Sequence, residues 1–377
     1  MTTLFHGARK LDARGEVDAF WMLVEGDRIT ATGSGDGHPD AHTTVDVAGR
    51  WLTPGFIDLH GHGGGGHAHE DGADAIRAAV ATHRAHGTTR SVISLVANPL
   101  ESTLHSLGIV AELSKADPLI LGSHLEGPFL APDNRGAHNP AFLIEPQPGI
   151  VEQLLTAARD TLRQITIAPE LPDAFEAIDV LVEAGVAVGV GHTTADYDLT
   201  RRAFDAGARI LTHAFNAMPG IHHRAPGPVI AAFDDDRVVL EIILDGKHVH
   251  PSVVGLAFTS APGRIALVTD AMTAAGVGDG DYTLGSLNVT VREGLAMLRG
   301  TTTIAGSTVT QDSALRQAMR DVGVAPADAV AALTTVPARA LGLDHELGLL
   351  APGYAADAVL LDHEWRVSEV WGAGSPI

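Results

Sequence analysis

Short β-branched runs alternate with alanine-rich stretches of helical spacing through most of this chain, and that alternation restricts the fold more than any other feature. "TTRSVIS" precedes "LESTLHSLGIVAELSK", "PLILGSHLEG" precedes "GIVEQLLTAARD", and "RQITIAPE" precedes "DAFEAIDVLVEAG". "VAVGVGHT" with "DYDLTRRAFDAG", then "ARILTHAFN", "VVLEIILDG" with "HPSVVGLAFTSA", and "RIALVTDA" continue the series. Strand-then-helix repetition calls for parallel strands with helical crossovers. Strand ends fall near His60, Ser94, Glu126, Pro169, His192, His213, Asp245 and Asp270, 21 to 43 residues apart. Eight such units predict an α/β fold of the closed (β/α)8, TIM-like barrel kind rather than an open sheet. Both chain ends break the rhythm. Residues 1–51 and 346–377 carry short strand-like pieces with turns, expected to join in one small β-sandwich domain beside a barrel of residues 52–345.

The chemistry concentrates where those strands end. In Asp58–Glu70, "DLHGHGGGGHAHE", four histidines and five glycines occupy thirteen positions. Residues i and i+2 of a strand share a face, so His60 and His62 project together, as two imidazoles must to reach one metal. Asp58 shares that parity and reads either as an orienting carboxylate or as a buried strand acid with its own partner. His67 and His69 lie beyond four glycines and read as loop residues near the mouth. Glu126, His192, His213 and Asp270 also follow apolar runs, on the face where barrel active sites are built. Six buried imidazoles and carboxylates converging without a cation would be costly, so they predict a metal site. There is no cysteine, so His, Asp and Glu must supply every ligand. Glu170, at the end of the fourth strand, is read as structural.

A net charge of −21 argues against nucleic acid or an anionic membrane as partner. The apolar stretches are strand-length, so no membrane helix is expected. "MTTLFHGARKLDARG" lacks a basic segment followed by an apolar run, which with the missing cysteines favours the cytoplasm. An anionic substrate would need locally gathered cations. "GIHHRAPG" (220–227) and "LDGKHVH" (244–250) are such clusters, in loops after the sixth and seventh strands. "DGDYTLGSLNVTVREGLAMLRG" reads as alternating strands with tight turns, a hairpin that either covers the site or decorates the surface.

"PGFIDLHGH", "HLEGP", "GHT", "THAFNAM", "TDAM" and the closing "LAPGYAADAVLLD" resemble the amidohydrolase superfamily. Within it, "HLEGPFL", the following "HNP" and "THAFNAM" are similar to the N-acetylglucosamine-6-phosphate deacetylases, over about residues 45 to 362. The resemblance implies Glu126, His192 and His213 as ligands of the main divalent metal and Asp270 as catalytic acid/base. It implies His138 near the substrate amide carbonyl, Asn216 and Ala217 towards the phosphate end, and Ala305 and Gly306 near the sugar. Arg224 and His248 match phosphate-binding residues that the family reaches across a homodimer interface. Zinc is the first expectation for the metal, with iron, manganese and cobalt open. His60 and His62, with Glu126 bridging, make a second ion available, so one or two ions per chain are expected.

Amide hydrolysis at neutral pH needs an activated water, a polarised carbonyl and a proton for the leaving amine. A hydrogen bond from His138 to the developing oxyanion can be worth roughly 3 kcal/mol. No serine nucleophile is required, and no G-x-S-x-G occurs. The implied reaction is deacetylation of N-acetylglucosamine 6-phosphate. Alternatives are the galactosamine epimer, a cyclic-amidohydrolase or isoaspartyl-dipeptidase activity, and an inactive sugar-phosphate binder. The lysine that many such relatives carry on the fourth strand is missing from "ITIAPE", and the intact acid/base and ligands argue against an inactive protein.

Overall fold

A computed structural model describes residues 1–377. Eight parallel strands form the barrel: β1 Phe56–Asp58, β2 Thr88–Val96, β3 Ile120–Glu126, β4 Leu162–Ile167, β5 Ala187–Val190, β6 Ile210–Leu211, β7 Val239–Ile243 and β8 Ile265–Val268. They pair in sequence order from β1 to β8. A helix follows each strand, from Ala73–Arg84 after β1 to Gln311–Gln317 after β8. The β8–β1 seam closes at the strand ends, where Asp270 N donates to His60 O and His62 N donates to Ala271 O, both at 2.7 Å. Lower down, Ala332 and Leu333 fill the seam by accepting from Leu267 N and Ile57 N. Closure therefore fixes His60, His62 and Asp270 against one another before any side chain is considered.

The barrel interior below the mouth is polar. Ser94 Oγ, His124, Thr166 Oγ1 and Thr212 Oγ1 form a buried hydrogen-bonded chain with contacts of 2.9–3.0 Å. That layer leaves no room just past β5: a Cβ at Gly191 would come within 2.7 Å of Thr212 Cβ and 2.9 Å of Thr166 Cγ2. The glycine of "GVGHT" is thus a packing requirement one residue before His192.

The chain ends do meet. Strands within Thr2–Pro54 join Ala358–Leu361, Val367–Gly372 and Ser375–Pro376 in one eight-stranded sheet. The expected sandwich is therefore hydrogen-bonded as a single sheet, wrapped around a core that includes Phe5, Met22, Leu52, Leu360 and Trp371. Trp51–Pro54 pairs with Ala358–Leu361. On that pairing we propose the small domain as 1–54 with 346–377, three residues beyond the boundary read from the sequence.

A buried ion pair ties the two parts together. Arg90 on β2 donates to both carboxylate oxygens of Asp357, at 2.6 and 3.2 Å, and to Pro118 O at 2.7 Å. Removing one partner strands a buried charge. Arg90→Ala should therefore cost about 3–5 kcal/mol, read as a lower denaturant midpoint, and Arg90→Ala with Asp357→Ala should cost less than the sum of the two single changes. An unchanged midpoint would show that the pair does not couple sheet and barrel.

Candidate metal centre and active site

The carboxylate of Glu126, at the end of β3, sits where five imidazoles converge. Its Oε1 lies 2.9 Å from His213 Nε2, 3.1 Å from His192 Nε2 and 3.2 Å from His60 Nε2. Its Oε2 lies 3.1 Å from both His62 Nε2 and His138 Nε2. Asp270 Oδ1 is 3.2 Å from His62 Nε2 and 3.6 Å from His60 Nε2. All seven side chains are buried. Two triads emerge, Glu126–His192–His213 and His60–His62–Asp270, each with ligand atoms within 4.8 Å of one another.

Strand-end geometry aims these groups. His192, His213 and Asp270 have φ of 47°, 28° and 44°. A left-handed backbone at a residue with a Cβ costs about 1–2 kcal/mol. Three such residues at the ends of β5, β6 and β8 place the strain at the site, where the surrounding structure holds it.

The donor set fits a divalent cation. His192 Nδ1 lies 2.9 Å from Asn134 O, and His60 Nδ1 lies 3.2 Å from a Glu241 oxygen. Each contact requires the proton on Nδ1, so a neutral ring would leave an Nε2 lone pair aimed at the Glu126 carboxylate. Lone pairs facing a carboxylate at 3.1–3.2 Å repel unless positive charge lies between them. Burial disfavours a charged His60, yet Glu126 and Asp270 outweigh it and hold its pKa well above the ordinary value. His62 is likewise pushed up to about 9 against its burial, by hydrogen bonds to Asp270 and Glu126. Burial would raise the Glu126 and Asp270 pKa values, but the surrounding histidines bring both below the usual range. The pocket attracts positive charge, and imidazole with carboxylate suits zinc and its neighbours.

His138 differs from the rest. Ala97 N donates to its Nδ1 at 3.3 Å, so the ring proton sits on Nε2, towards the centre. Burial, more than its neighbours, lowers its pKa and keeps the ring neutral. A neutral N–H donor at that position is suited to a carbonyl oxygen.

A cavity of about 420 Å³ opens onto these groups. Asn216, Ala217, His248 and Gly306 line it, whereas fully buried Ala305 belongs to an apolar cluster with Met272, Leu284 and Val289. Gly306 has φ of +65°, and a Cβ there would approach Asp270 O to 3.0 Å. His248 faces its own chain's cavity. Asp245 holds it through a 2.7 Å contact to Nδ1 and raises its pKa against burial. Arg224 does not line the cavity; it is exposed, with Nη1 at 2.8 Å from His223 Nε2.

Sequence reasoning passed over one cation at the cavity. Arg135 lines the cavity and adds a cation three residues before His138. His69 is buried against Ser94 O, with burial pushing its pKa down to about 3, while His67 is exposed. The 279–300 segment forms three antiparallel strands, Gly280–Leu284, Leu287–Arg292 and Leu295–Leu298, and Leu284 closes one wall of the cavity. Glu170 accepts from Thr194 Oγ1 at 2.9 Å and also pairs with Thr193, away from the centre.

Residues 51–373 match the amidohydrolase family. An N-acetylgalactosamine-6-phosphate deacetylase of Escherichia coli O157:H7 is 37% identical over 99% of both chains. An N-acetylglucosamine-6-phosphate deacetylase of Vibrio furnissii is 34% identical, over 95% of this chain and 90% of that one. The N-acetyl-D-glucosamine-6-phosphate deacetylase of Mycobacterium smegmatis, solved as a mutant in complex with N-acetyl-D-glucosamine-6-phosphate, superimposes with a TM-score of 0.94 at 42% identity, over 100% of this chain and 99% of that one. With this agreement along the whole chain, the protein belongs to the amidohydrolase family and, within it, to the N-acetylglucosamine-6-phosphate deacetylases.

Proposed function

We propose that the chain hydrolyses N-acetyl-D-glucosamine 6-phosphate to D-glucosamine 6-phosphate and acetate, as a metal-dependent deacetylase. The arrangement of two triads around Glu126 supports this reading most directly. Glu126, His192 and His213 would hold the principal ion, with His60, His62 and Asp270 available for a second. A bound divalent ion supplies a water of lowered pKa and a Lewis acid for the amide carbonyl. Zinc is the ion we favour; iron, manganese and cobalt suit the same donors.

The chain's own groups supply the rest. Asp270 takes a proton from the attacking water and returns it to the departing nitrogen. His138, neutral and protonated on Nε2, donates to the carbonyl oxygen as its charge develops. Asn216, Ala217 and Gly306 shape the sugar subsite, and His248 and Arg135 put positive charge at the cavity for a phosphate. Arg224 of a second copy would complete that pocket in a homodimer. No helix is long and apolar enough to cross a membrane; we place the protein in the cytoplasm.

Acetate release from the zinc-loaded enzyme tests the assignment. Two charge-assisted phosphate contacts at roughly 1.5–3 kcal/mol each predict a preference for the 6-phosphate over free N-acetylglucosamine of about 10² to 10⁴ in kcat/KM. Equal or absent activity on both would refute the substrate. The same assay with N-acetylgalactosamine 6-phosphate decides the second reading, which the 37% identical relative favours. Chelation should abolish turnover and added zinc restore it.

Asp270→Asn should lower kcat by about 10² to 10⁴, with the metal content of each preparation measured. Full turnover in that variant would remove Asp270 from the mechanism. Mixed oligomers of Arg224→Ala and Asp270→Asn chains should recover activity neither has alone. No recovery in demonstrably mixed oligomers would make each chain self-sufficient.

A further inference from the structure

Glu241 is the one acid within β7, in the apolar run "VVLEIIL", and it is fully buried. None of the roles assigned above uses it. Its Oε1 accepts from Gln164 Nε2 at 2.7 Å; its Oε2 lies 3.2 Å from His60 Nδ1 and 3.3 Å from His213 N. One carboxylate therefore touches a ring of one triad and the backbone of the other.

A carboxylate offers only acceptor positions, so His60 must present Nδ1–H to it and keep the Nε2 lone pair for the centre. His60 is wholly buried and packs edge-on against His124, with ring centroids 4.6 Å apart. The Nδ1 atoms of His62 and His213, by contrast, have no hydrogen-bond partner. His60 is thus the ring of the His60–His62 pair whose tautomer and tilt are set by a protein anion. We propose that Glu241 is a positioning residue for a metal ion held by His60, His62 and Asp270: it fixes His60 with Nε2 turned inward and ties that ring to the strand end bearing His213. The inference rests on reading the two triads as metal positions.

The surroundings provide a discriminating substitution. Gln164 Oε1 is buried without a partner. A flip of the Gln164 amide would let it accept from a glutamine at 241 while that glutamine's oxygen still receives His60 Nδ1–H. Glu241→Gln should therefore preserve the orientation that Glu241→Ala destroys.

The test is equilibrium dialysis of the metal-free full chain against buffered zinc, with zinc per chain counted and folding checked by circular dichroism. Wild type should take up two zinc ions. Glu241→Ala should bind the second about 10- to 100-fold more weakly, a loss well beyond any at the first, whose ligands Glu241 touches only through the His213 amide. Glu241→Gln should lie near wild type. Retention of both ions by Glu241→Ala at wild-type affinity would overturn the proposal. So would equal loss of both ions in the two variants, which marks a purely structural role, or uptake of only one ion by wild type. Acetate release measured alongside separates the two readings: a wild type that deacetylates with one ion defeats only the role of Glu241. One that binds two ions in the predicted pattern but releases no acetate defeats only the proposed function.

Discussion

The upper end of this barrel is organised by one buried carboxylate. An isolated ionised acid in such surroundings would be too costly to keep charged. Glu126 stays charged because positive charge among the five imidazoles within 3.2 Å of it, on the rings or on an ion they hold, offsets its burial. The constraint runs both ways: the imidazoles must converge on Glu126, so the strands carrying them must end at one level around it. Closure at the β8–β1 seam and the absence of a side chain at Gly191 are two ways the backbone meets that demand.

Strain follows from the same demand. Extended backbone would carry His192, His213 and Asp270 along their strands, whereas positive φ turns each across the mouth. Residues held this way persist only where their surroundings over-determine them. Here the fixing contacts are specific: Asn134 O on the His192 ring, Glu241 on the His213 amide, and His60 O on the Asp270 amide. Binding geometry and local stability are therefore one problem at this end of the barrel. The apolar shell around the strands supplies the burial that makes both possible.

How much of this was legible in the sequence depended on whether a feature is periodic. The eight strand ends and the pairing of His60 with His62 rest on strand-helix alternation and on parity, and the structure places them accordingly. Parity also carried an unread signal: Glu241 shares its face with Ile243 and Asp245, and His124 shares its face with Glu126. A charged or polar residue on the inward face of an apolar strand points into the barrel, and both belong to the buried network behind the centre. The burial of Ala305 and of His69 and the place of His248 in the lining of its own cavity were not legible. Those depend on how irregular loops fold back, which no period in the sequence encodes. The positive φ values at His192, His213 and Asp270 belong to this class, since tertiary packing imposes them on residues with no preference for that conformation.

The charge of the protein leads to the same division between local and global. A chain with 46 acidic and 25 basic residues repels an anion at long range. At 0.15 M salt that field fades over about 8 Å, so what a phosphate experiences in the cavity is set by the groups lining it. His248 carries its Asp245 partner with it, and Arg135 rides on the loop that also presents Asn134 and His138. Arg135 and His138 are thus three residues apart on one loop, while His248 stands in the loop after β7. An anion entering the cavity therefore meets side chains whose places are already fixed by the contacts that hold the Glu126 centre together.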